Sequence, residues 1–371
     1  MRTLLHVFPT FDVGGAQIRF VQIANRFAGR YRHQVVSLDG HLGAATLLSA
    51  EAGVGFVRID APKKSGFENV LRFRKYLSEN RPDLLVTSNW GSIEWAIANL
   101  GIGIPHLHTE DGFGPDEQDG QKLRRRLVRR FALRNAAVIV PSQHLYGIAL
   151  RSWRIGRSHL RHIPNGADTA RFSSGSRAGN IDGGLVIGTI ATLRKEKNLK
   201  RLIDAFARVS ADFDVRLLIA GDGPERGNLE AHAAKSPAAA RITFTGYTAA
   251  PEQFLSRLDV FALSSDTEQM PLSLLEAMAA GCPVAATSVG DVPSMVAAEN
   301  RPFLVERSTE ALADAFASLL RDPTERKRVG EANRRRAVES FDSERMLEAY
   351  RRLWDGELTS SAQEKAAQVP V

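Results

Sequence analysis

The sequence predicts an α/β protein built from two doubly wound domains, each with a parallel sheet. Short runs rich in β-branched residues alternate with helical patterns through most of the chain, which is typical of βαβ units. The chain has 371 residues, more than one ordinary core needs, and a stretch rich in Ser and Gly at 173–184 interrupts the alternation. We therefore expect a first domain at 1–172, a linker at 173–184 and a second domain at 185–340.

The periodicity of apolar residues places the elements in order along the chain. Strands are expected at 4–8, 34–38, 84–88 and 137–141 in the first domain, and at 185–190, 215–220, 242–244, 260–263 and 284–286 in the second. Helices include 16–27, 199–209, 272–280 and a last one at 341–357, and the polar tail 358–371 is expected to be disordered. Ligands of open parallel sheets bind beyond the carboxyl ends of the strands, so the loops that follow these strands are the expected positions of functional residues.

The overall composition is that of a globular protein. Apolar residues make up 43% of the chain and charged residues 25%, and no run of about eighteen uncharged apolar residues predicts a membrane span. The apolar start of the chain is too short for a signal peptide. The single cysteine, Cys282, cannot form an internal disulfide, and no CxxC pair offers a metal site. These features favour a cytoplasmic protein whose one thiol is a buried structural residue.

The net charge of +7 comes from one segment. Residues 121–167 contain eleven Lys and Arg residues and no Asp or Glu, so the rest of the chain is mildly acidic. Within it, 121–135 predicts a helix with Leu123, Leu127 and Phe131 on one face and most of its cations opposite. Such a helix can bind an anionic membrane surface through 121–161, or its apolar stripe can simply pack on the sheet. Nucleic-acid binding is not expected, because aromatic residues are not interleaved with the arginines.

The strongest candidate site follows the strand at 260–263. Its sequence is SSDTEQMPLSLLEAMAAGCPV, with Glu268 in the loop and Glu276 in the helix that Pro271 introduces. Free N–H groups at a helix start bind anions such as a diphosphate, one carboxylate can accept hydrogen bonds from a ribose diol, and the other can hold sugar hydroxyls. An equally open interpretation is that Glu268 only caps the helix and that Glu276 is a solvated helix residue.

The spacing of these two glutamates argues against a hydrolase. Paired carboxylates that flank a glycosidic bond lie about 5–10 Å apart. Eight positions on an ideal helix span roughly 12 Å, which suits binding of two parts of one long ligand.

Four segments together resemble the family-four glycosyltransferases of the GT-B fold. Glu268 and Glu276 match the Glu-x7-Glu motif of that family, and similar motifs occur at 163–172 (IPNGADTARF), 188–199 (GTIATLRKEKNL) and 219–225 (IAGDGPE). The resemblance covers about residues 1 to 355. It implies two Rossmann-like domains facing across a cleft, with the last helix crossing back to the first domain. It also implies retaining transfer from a UDP- or GDP-linked sugar to a lipid-linked, polysaccharide or other glycan acceptor in envelope or exopolysaccharide biosynthesis.

The resemblance also implies roles for single residues of the second domain. Glu276 would bind the nucleotide ribose, Glu268 the donor sugar and Lys197 the diphosphate. Thr192 stands where the family has an arginine, and Arg194 is the candidate replacement. Without the resemblance, Arg194 and Lys197 would be interpreted as solvated loop residues. Gln269, Met270 and Pro271 replace family glycines, so Met270, Pro271 and Leu272 are expected to line a donor pocket whose sugar the sequence does not identify. The nucleotide-sugar is a substrate, and neither a cofactor nor a metal is expected.

Further candidates lie in the first domain. Gly14 and Gly15 sit between a strand and a helix, where the backbone can approach a phosphate or sugar, or can simply turn. By resemblance this loop closes over the donor. The resemblance also implies that His108 is the catalytic histidine that touches the donor sugar, with a satisfied structural histidine as the alternative. Glu110 and Asp111 are weaker candidates for contacts with the acceptor.

Two rival functions remain at this point. A nucleotide-sugar epimerase of the same fold would share the donor site and need no acceptor. A basic nucleic-acid-binding protein is suggested only by the isoelectric point near 9.7. The expected location is the cytoplasm, with the inner face of the membrane as the alternative.

Overall fold

The computed structural model describes residues 1–62, 65–113, 117, 121–173 and 184–357, and these divide into two compact units. Unit 1 comprises Met1–Pro164 and the described residues from Met346 onward, and unit 2 comprises Asn165–Arg345. Residues 165–172, which the sequence analysis places in the first domain, therefore belong to unit 2. Most of the expected linker, 174–183, and the expected tail, 358–371, lie outside the described residues.

Unit 1 is organised around a parallel sheet flanked by helices. Its described strands are β1 (Arg2–Phe8), β2 (Tyr31–Ser37), β3 (Val54–Phe56), β4 (Leu84–Ser88), β5 (His106–Thr109), β6 (Ala137–Val140) and β7 (Leu160–His162). Its described helices are α1 (Gly15–Arg26), α2 (Gly66–Asn80), α3 (Ile93–Asn99), α4 (Leu123–Ala132), α5 (Gln143–Arg151) and α14 (Ser343–Trp354), the last of which begins in unit 2. The strand order is β3-β2-β1-β4-β5-β6-β7, so the direction of winding reverses between β1 and β4.

Helices cover both faces of this sheet because its strands are apolar on both sides. α1 and α14 pack on one face, around Leu4 and Val35. α2 and α3 cover the other face around Leu5, and α3, α4 and α5 continue that layer around Val138. In α14, Trp354 packs edge-on against the rings of His6 and His33, and burial lowers the pKa of His33 to about 4. The last helix is thus part of the unit 1 core.

Unit 2 repeats the same architecture with a second parallel sheet. Its described strands are β8 (Leu185–Ile190), β9 (Val215–Ala220), β10 (Ile242–Gly246), β11 (Val260–Leu263), β12 (Val284–Thr287) and β13 (Leu304–Val305), in the order β10-β9-β8-β11-β12-β13. Its described helices are α6 (Thr169–Ser173), α7 (Leu199–Val209), α8 (Arg226–Ala233), α9 (Pro251–Leu255), α10 (Leu272–Ala279), α11 (Val292–Met295), α12 (Thr309–Arg321) and α13 (Pro323–Phe341). Here the winding reverses between β8 and β11. The predicted α/β class with two doubly wound parallel sheets is confirmed.

The packing of α7 illustrates how the sequence specifies this unit. Leu199, Leu202, Ile203 and Phe206 recur at helical spacing and are all buried against the sheet. No described helix is long and apolar enough to cross a bilayer.

Candidate active site

Two loops at the switch point of unit 2 carry the predicted cationic and acidic residues. The loop 191–198 follows β8, the loop 264–271 follows β11, and these two strands are neighbours in the sheet. Because the strands are parallel, both loops leave the same edge of the sheet. This arrangement brings Lys197 and Glu268 into contact although they are 71 positions apart in the chain.

The contact between Lys197 and Glu268 is short and largely shielded from solvent. Lys197 Nζ lies 2.6 Å from Glu268 Oε1, and Ser265 Oγ donates a hydrogen bond to the same oxygen at 2.7 Å. Glu268 is only 8% exposed, so its charge needs these partners. Its second oxygen, Oε2, makes no hydrogen bond with a described residue. Glu268 therefore has one carboxylate oxygen fixed by the protein and one available to a ligand.

A second set of contacts fastens the two loops to each other. Asn198 adopts a left-handed conformation with φ 42°, which Asn tolerates better than most residues, and its side chain accepts a hydrogen bond from the N–H of Arg201 at the start of α7. Asn198 Nδ2 donates to Asp266 at 3.0 Å, and the Arg201 guanidinium donates to Asp266 at 2.7 Å and to the carbonyl of Ser264 at 2.8 Å. We call these contacts the loop brace. The brace was not predicted from the sequence, although Asn directly before a helix is a cap signal.

Arg194 lies in the same loop, where only its backbone makes hydrogen bonds with described residues. Its backbone N–H donates to the carbonyl of Thr192 at 2.8 Å, whereas its exposed guanidinium makes no hydrogen bond or ion pair with a described residue. The side chain is therefore free to meet an anion. Its predicted role as the replacement for the arginine absent at Thr192 stays a prediction.

Glu276 lies on α10, and Glu268 lies in the loop before that helix. Pro271 directly precedes α10, which begins at Leu272, so the ideal-helix spacing of about 12 Å does not apply to this pair. Burial raises the pKa of Glu276 to about 7, partly opposed by the positive charge of Arg171. The residue as a whole is partly exposed, and its carboxylate makes no hydrogen bond with a described residue. Glu276 is therefore an acceptor one turn into the helix whose oxygens have no protein partner in the described part of the chain.

Backbone contacts fix the rest of the 264–271 loop. Asn165 Nδ2 donates to the carbonyl of Met270 at 2.9 Å, and both residues are buried, as is Pro271. Gly290 has φ 53°, and a Cβ atom there would overlap the carbonyl oxygen of Glu268. The motif at 163–172 contains Asn165, but the sequence analysis gave that residue no role.

The glycine loop of unit 1 also follows a strand at a switch point. Gly14 precedes the first residue of α1, Gly15, after the loop that leaves β1. A Cβ atom on Gly14 would lie 2.9 Å from Oε1 of Gln17, whose Nε2 donates to the carbonyl of Thr10 at 2.8 Å. Gly14 is partly buried and Gly15 is exposed. The loop thus presents backbone at the start of a helix, as predicted for a ligand contact or for a tight turn.

The acidic and histidine candidates of unit 1 are held in ion pairs and hydrogen bonds. His108 is fully buried in β5, where its Nδ1 lies 2.8 Å from Oγ1 of Thr87 and its Nε2 lies 3.7 Å from the Glu110 carboxylate. Glu110 is also fully buried and accepts a hydrogen bond from Arg129 at 3.2 Å. Neither side chain has a surface that a sugar can touch in this arrangement, which favours the structural interpretation of His108 and argues against Glu110 as an acceptor contact.

Asp111 is engaged as well. Its carboxylate forms a two-pronged ion pair with the buried Arg19 of α1, and one of these hydrogen bonds measures 2.8 Å. Asn89 Oδ1 accepts from the Asp111 N–H at 2.7 Å. A contact between Asp111 and an acceptor would have to compete with Arg19.

No metal site emerges from the part of the chain that the structure describes. Groups of three or more His, Cys, Asp or Glu side chains in ligating positions do not occur there. Cys282 is buried.

Comparison with known families matches both units. Residues 13–171 match the family model described as Glycosyltransferase Family 4, and residues 176–336 match the model described as Glycosyl transferases group 1. A GDP-mannose-dependent alpha-(1-6)-phosphatidylinositol dimannoside mannosyltransferase of Mycobacterium tuberculosis is 30% identical over 74% of this chain and 76% of its own length. An N-acetyl-alpha-D-glucosaminyl L-malate synthase of Bacillus anthracis is 31% identical, but the match spans only 44% of either chain.

Solved structures of the same fold cover nearly the whole chain. A sucrose-phosphate synthase from Thermosynechococcus elongatus matches with a TM-score of 0.79 and 23% identity, over 96% of this chain and 100% of that one. The HepE protein of Anabaena in complex with UDP-glucose matches with a TM-score of 0.80 and 19% identity, over the same shares of the two chains. These likenesses establish the fold of the chain.

Proposed function

Because this chain belongs to the family 4 and group 1 glycosyltransferases, we propose that it transfers a hexose from a UDP- or GDP-linked donor to a glycan acceptor with retention of anomeric configuration. The observation that supports this proposal most directly is the pairing of Lys197 with Glu268 at the switch point of unit 2. Arg194 lies in the same loop as Lys197, Glu276 lies on the helix that follows the loop of Glu268, and neither side chain has a hydrogen-bond partner among the described residues. One HepE structure holds UDP-glucose, and the mycobacterial relative is GDP-mannose-dependent, so both bases remain candidates.

The cations of unit 2 suit the charge that develops on the leaving group. When the bond from the anomeric carbon to the diphosphate breaks, negative charge moves onto the phosphate oxygens. Lys197 and Arg194 would stabilise that charge, together with the N–H groups at the start of α10. The first N–H groups of a helix have no partner within that helix and can therefore bind an anion. The contact with Glu268 orients Lys197, so the ammonium group would need little rearrangement to meet a diphosphate. The leaving phosphate would take the proton of the acceptor hydroxyl, and no enzymic nucleophile is required.

The two glutamates would hold the other two parts of the donor. Glu268 would accept hydrogen bonds from sugar hydroxyls through Oε2, while its Oε1 stays fixed by Lys197 and Ser265. Glu276 would accept hydrogen bonds from the ribose diol, which favours the ionised carboxylate that burial disfavours. Met270, Pro271 and Leu272 would line the pocket between these positions.

The acceptor is a lipid-linked, polysaccharide or other glycan. The mycobacterial relative is named for a phosphatidylinositol dimannoside acceptor, and a relative in Rhizobium meliloti is named for lipopolysaccharide core biosynthesis. The compartment we propose is the cytoplasm, in line with a single cysteine that is buried. An epimerase of the same fold is the second candidate, and it differs in consuming the nucleotide-sugar without an acceptor.

The test is calorimetric titration of the purified protein with UDP, GDP, ADP and one sugar-linked form of each. We expect one diphosphate nucleotide to bind selectively, and Glu276→Ala to weaken it at least about tenfold, since two hydrogen bonds to a charged group are lost. Glu310→Ala is the matched control, because it removes an exposed carboxylate of unit 2. Equal nucleotide affinity in the wild type and Glu276→Ala would remove the ribose role. Donor turnover in the absence of any acceptor would favour the epimerase.

A further inference from the structure

The helix α4 packs on unit 1 through a buried arginine and the small apolar residue Ala132, although its sequence suggests attachment by a stripe of large apolar residues. Arg129 is fully buried and donates hydrogen bonds to Glu110 at 3.2 Å and to Glu117 at 3.2 and 3.3 Å. Its guanidinium also lies over the rings of Trp90 and Trp153, with 4.8 and 4.9 Å to the ring centroids. The inward face of α4 is thus occupied by an arginine with two carboxylate partners.

The apolar residues of α4 consequently point away from the unit. Leu123, Leu127 and Phe131 are 66%, 56% and 52% exposed. Residues four positions apart lie on one face of a helix, so these three side chains form one outward stripe. The expectation that the stripe packs on the sheet is therefore wrong. A cluster of large exposed apolar side chains on one helix marks an interaction surface.

Cations border this stripe on both sides. At roughly 100° per residue, Arg124 lies beside Phe131 at one border of the stripe and Arg130 lies beside Leu123 at the other. Both arginines are exposed and have no ion-pair partner among the described residues. Arg134, just beyond the helix, lies over the ring of Phe131 at 4.5 Å. We call Leu123, Leu127, Phe131 and these three arginines the α4 face.

A second exposed apolar pair belongs to the same helical layer. α2 packs against α3 and α3 packs against α4, all on one side of the sheet of unit 1. Phe67 and Leu71 of α2, four positions apart, are both exposed. This layer therefore presents two apolar pairs or stripes on helices that are separated only by α3.

From this geometry we propose that the α4 face binds the surface of an anionic lipid bilayer. The helix would lie in the plane of the interface, with the leucines and Phe131 in the boundary between headgroups and acyl chains and the arginines on lipid phosphates. A nucleic acid would use the arginines but not the leucines, and a protein partner would not require exposed arginines on both borders of the stripe. This binding does not depend on the proposed transfer reaction, so it can be tested without substrates.

The experiment is sedimentation of the whole protein with sucrose-loaded vesicles of phosphatidylcholine, with or without about one third phosphatidylglycerol. We expect partitioning onto the anionic vesicles only, weakened by salt because charge contributes. Leu127→Ser with Phe131→Ser, and separately Arg124→Ala with Arg130→Ala, should each lower the partition coefficient at least about tenfold. All four side chains are exposed, so folding should be unaffected, and nucleotide binding by calorimetry should stay at the wild-type level. Val338→Ser on α13 is the control, since it removes an exposed apolar side chain of unit 2.

Several outcomes would overturn the proposal. Equal binding to neutral and anionic vesicles would show that the protein does not recognise lipid charge. Wild-type binding by both double variants would show that the α4 face is not the contact. A dimer that dissociates in Leu127→Ser with Phe131→Ser, without vesicle binding, would assign the face to a second copy of the chain. Retention on duplex DNA at moderate salt, lost only in the arginine variant, would assign it to nucleic acid.

Discussion

Replacing Lys197 by alanine tests the centre of the candidate site, because it separates stability from activity. The lysine lies 2.6 Å from Glu268, and the exposed fractions of the two side chains are 22% and 7%. Two unit charges about 4 Å apart attract by about 4 kcal/mol at an effective dielectric constant of 20, before the costs of desolvation and ordering are subtracted. Since Ser265 remains as a partner of Glu268, we expect Lys197→Ala to lower the free energy of unfolding by about 1–3 kcal/mol.

The effect of Lys197→Ala on catalysis should be larger than its effect on folding. Preorganised groups that meet developing charge contribute about 2.7–4 kcal/mol to the transition state. We therefore expect kcat/KM for the donor to fall about 100- to 1000-fold. Adding Glu268→Gln should restore stability, because no buried carboxylate then lacks its cation, but it should not restore activity. Urea denaturation and a coupled assay for release of the nucleoside diphosphate measure the two effects.

The control for this experiment is Lys195→Ala in the same loop. Lys195 is exposed and its ammonium group has no hydrogen-bond or ion-pair partner among the described residues, so its removal changes the net charge but not the contact between Lys197 and Glu268. If the donor affinity and turnover of Lys197→Ala were within about twofold of those of Lys195→Ala, Lys197 would have no role at the diphosphate. If the double variant were no more stable than Lys197→Ala, the buried ion pair would not be the source of the stability loss.

Three further predictions concern a titrating group, a buried ion network and a tight backbone contact. Burial raises the pKa of Glu276 from 4.5 to about 7, so its contribution to stability is complete below about pH 4.5 and is lost as the pH rises through 7. Glu276→Gln should thus be more stable than the wild type by about 1–3 kcal/mol at about pH 8 and equal to it at about pH 4, in urea titrations. An advantage that grows toward acid pH would contradict this sign. Arg129→Met leaves the buried Glu110 without its cation and Glu117 with Arg125 alone, and should cost about 3–5 kcal/mol in thermal unfolding, whereas the exposed Arg130→Met should change stability by less than about 0.5 kcal/mol. Gly290→Ala should lower both stability and donor binding because its Cβ overlaps a carbonyl of the 264–271 loop, whereas Gly29→Ala, which also has positive φ but open space around it, should affect stability alone and by about 1–2 kcal/mol. Equal losses in both glycine variants would mean that backbone strain, and not the overlap, is responsible.

The sequence could predict the fold because its signals are local. Each predicted strand is an apolar run bounded by turn residues, and strands alternating with helices leave few topologies. The short strands β3 (Val54–Phe56), β7 (Leu160–His162) and β13 (Leu304–Val305) were not predicted, since two or three residues are too few to show a period. The unit boundary was misplaced by eight residues because composition marks the Ser- and Gly-rich stretch, whereas the boundary itself depends on where residues 165–172 pack.

The site could be predicted only as a set of candidates. The motifs identified Lys197 and Glu268, but no sequence spacing shows that one holds the other in contact. The loop brace and the Asn165 contact depend on which loops the topology brings together. Polarity suggested that Glu110 and His108 face a ligand, whereas the nearby Arg129 makes them part of a buried network. A helical wheel assumes that apolar residues face inward, so it predicts the wrong inward face for α4. In the structure the buried Arg129 occupies the inward face.

The loop brace has a consequence for the exchange of single loops between related proteins. Asp266 of the 264–271 loop accepts hydrogen bonds from Asn198, the last residue of the 191–198 loop, and from Arg201 of α7. The carbonyl of Lys197 accepts a hydrogen bond from Ser264 at 3.0 Å. Replacing the 264–271 loop alone with that of a relative would leave these groups without their partners and disturb the lysine. Exchange of both loops together, by recombination or engineering, should therefore transfer the proposed sugar preference. Exchange of either loop alone should fail.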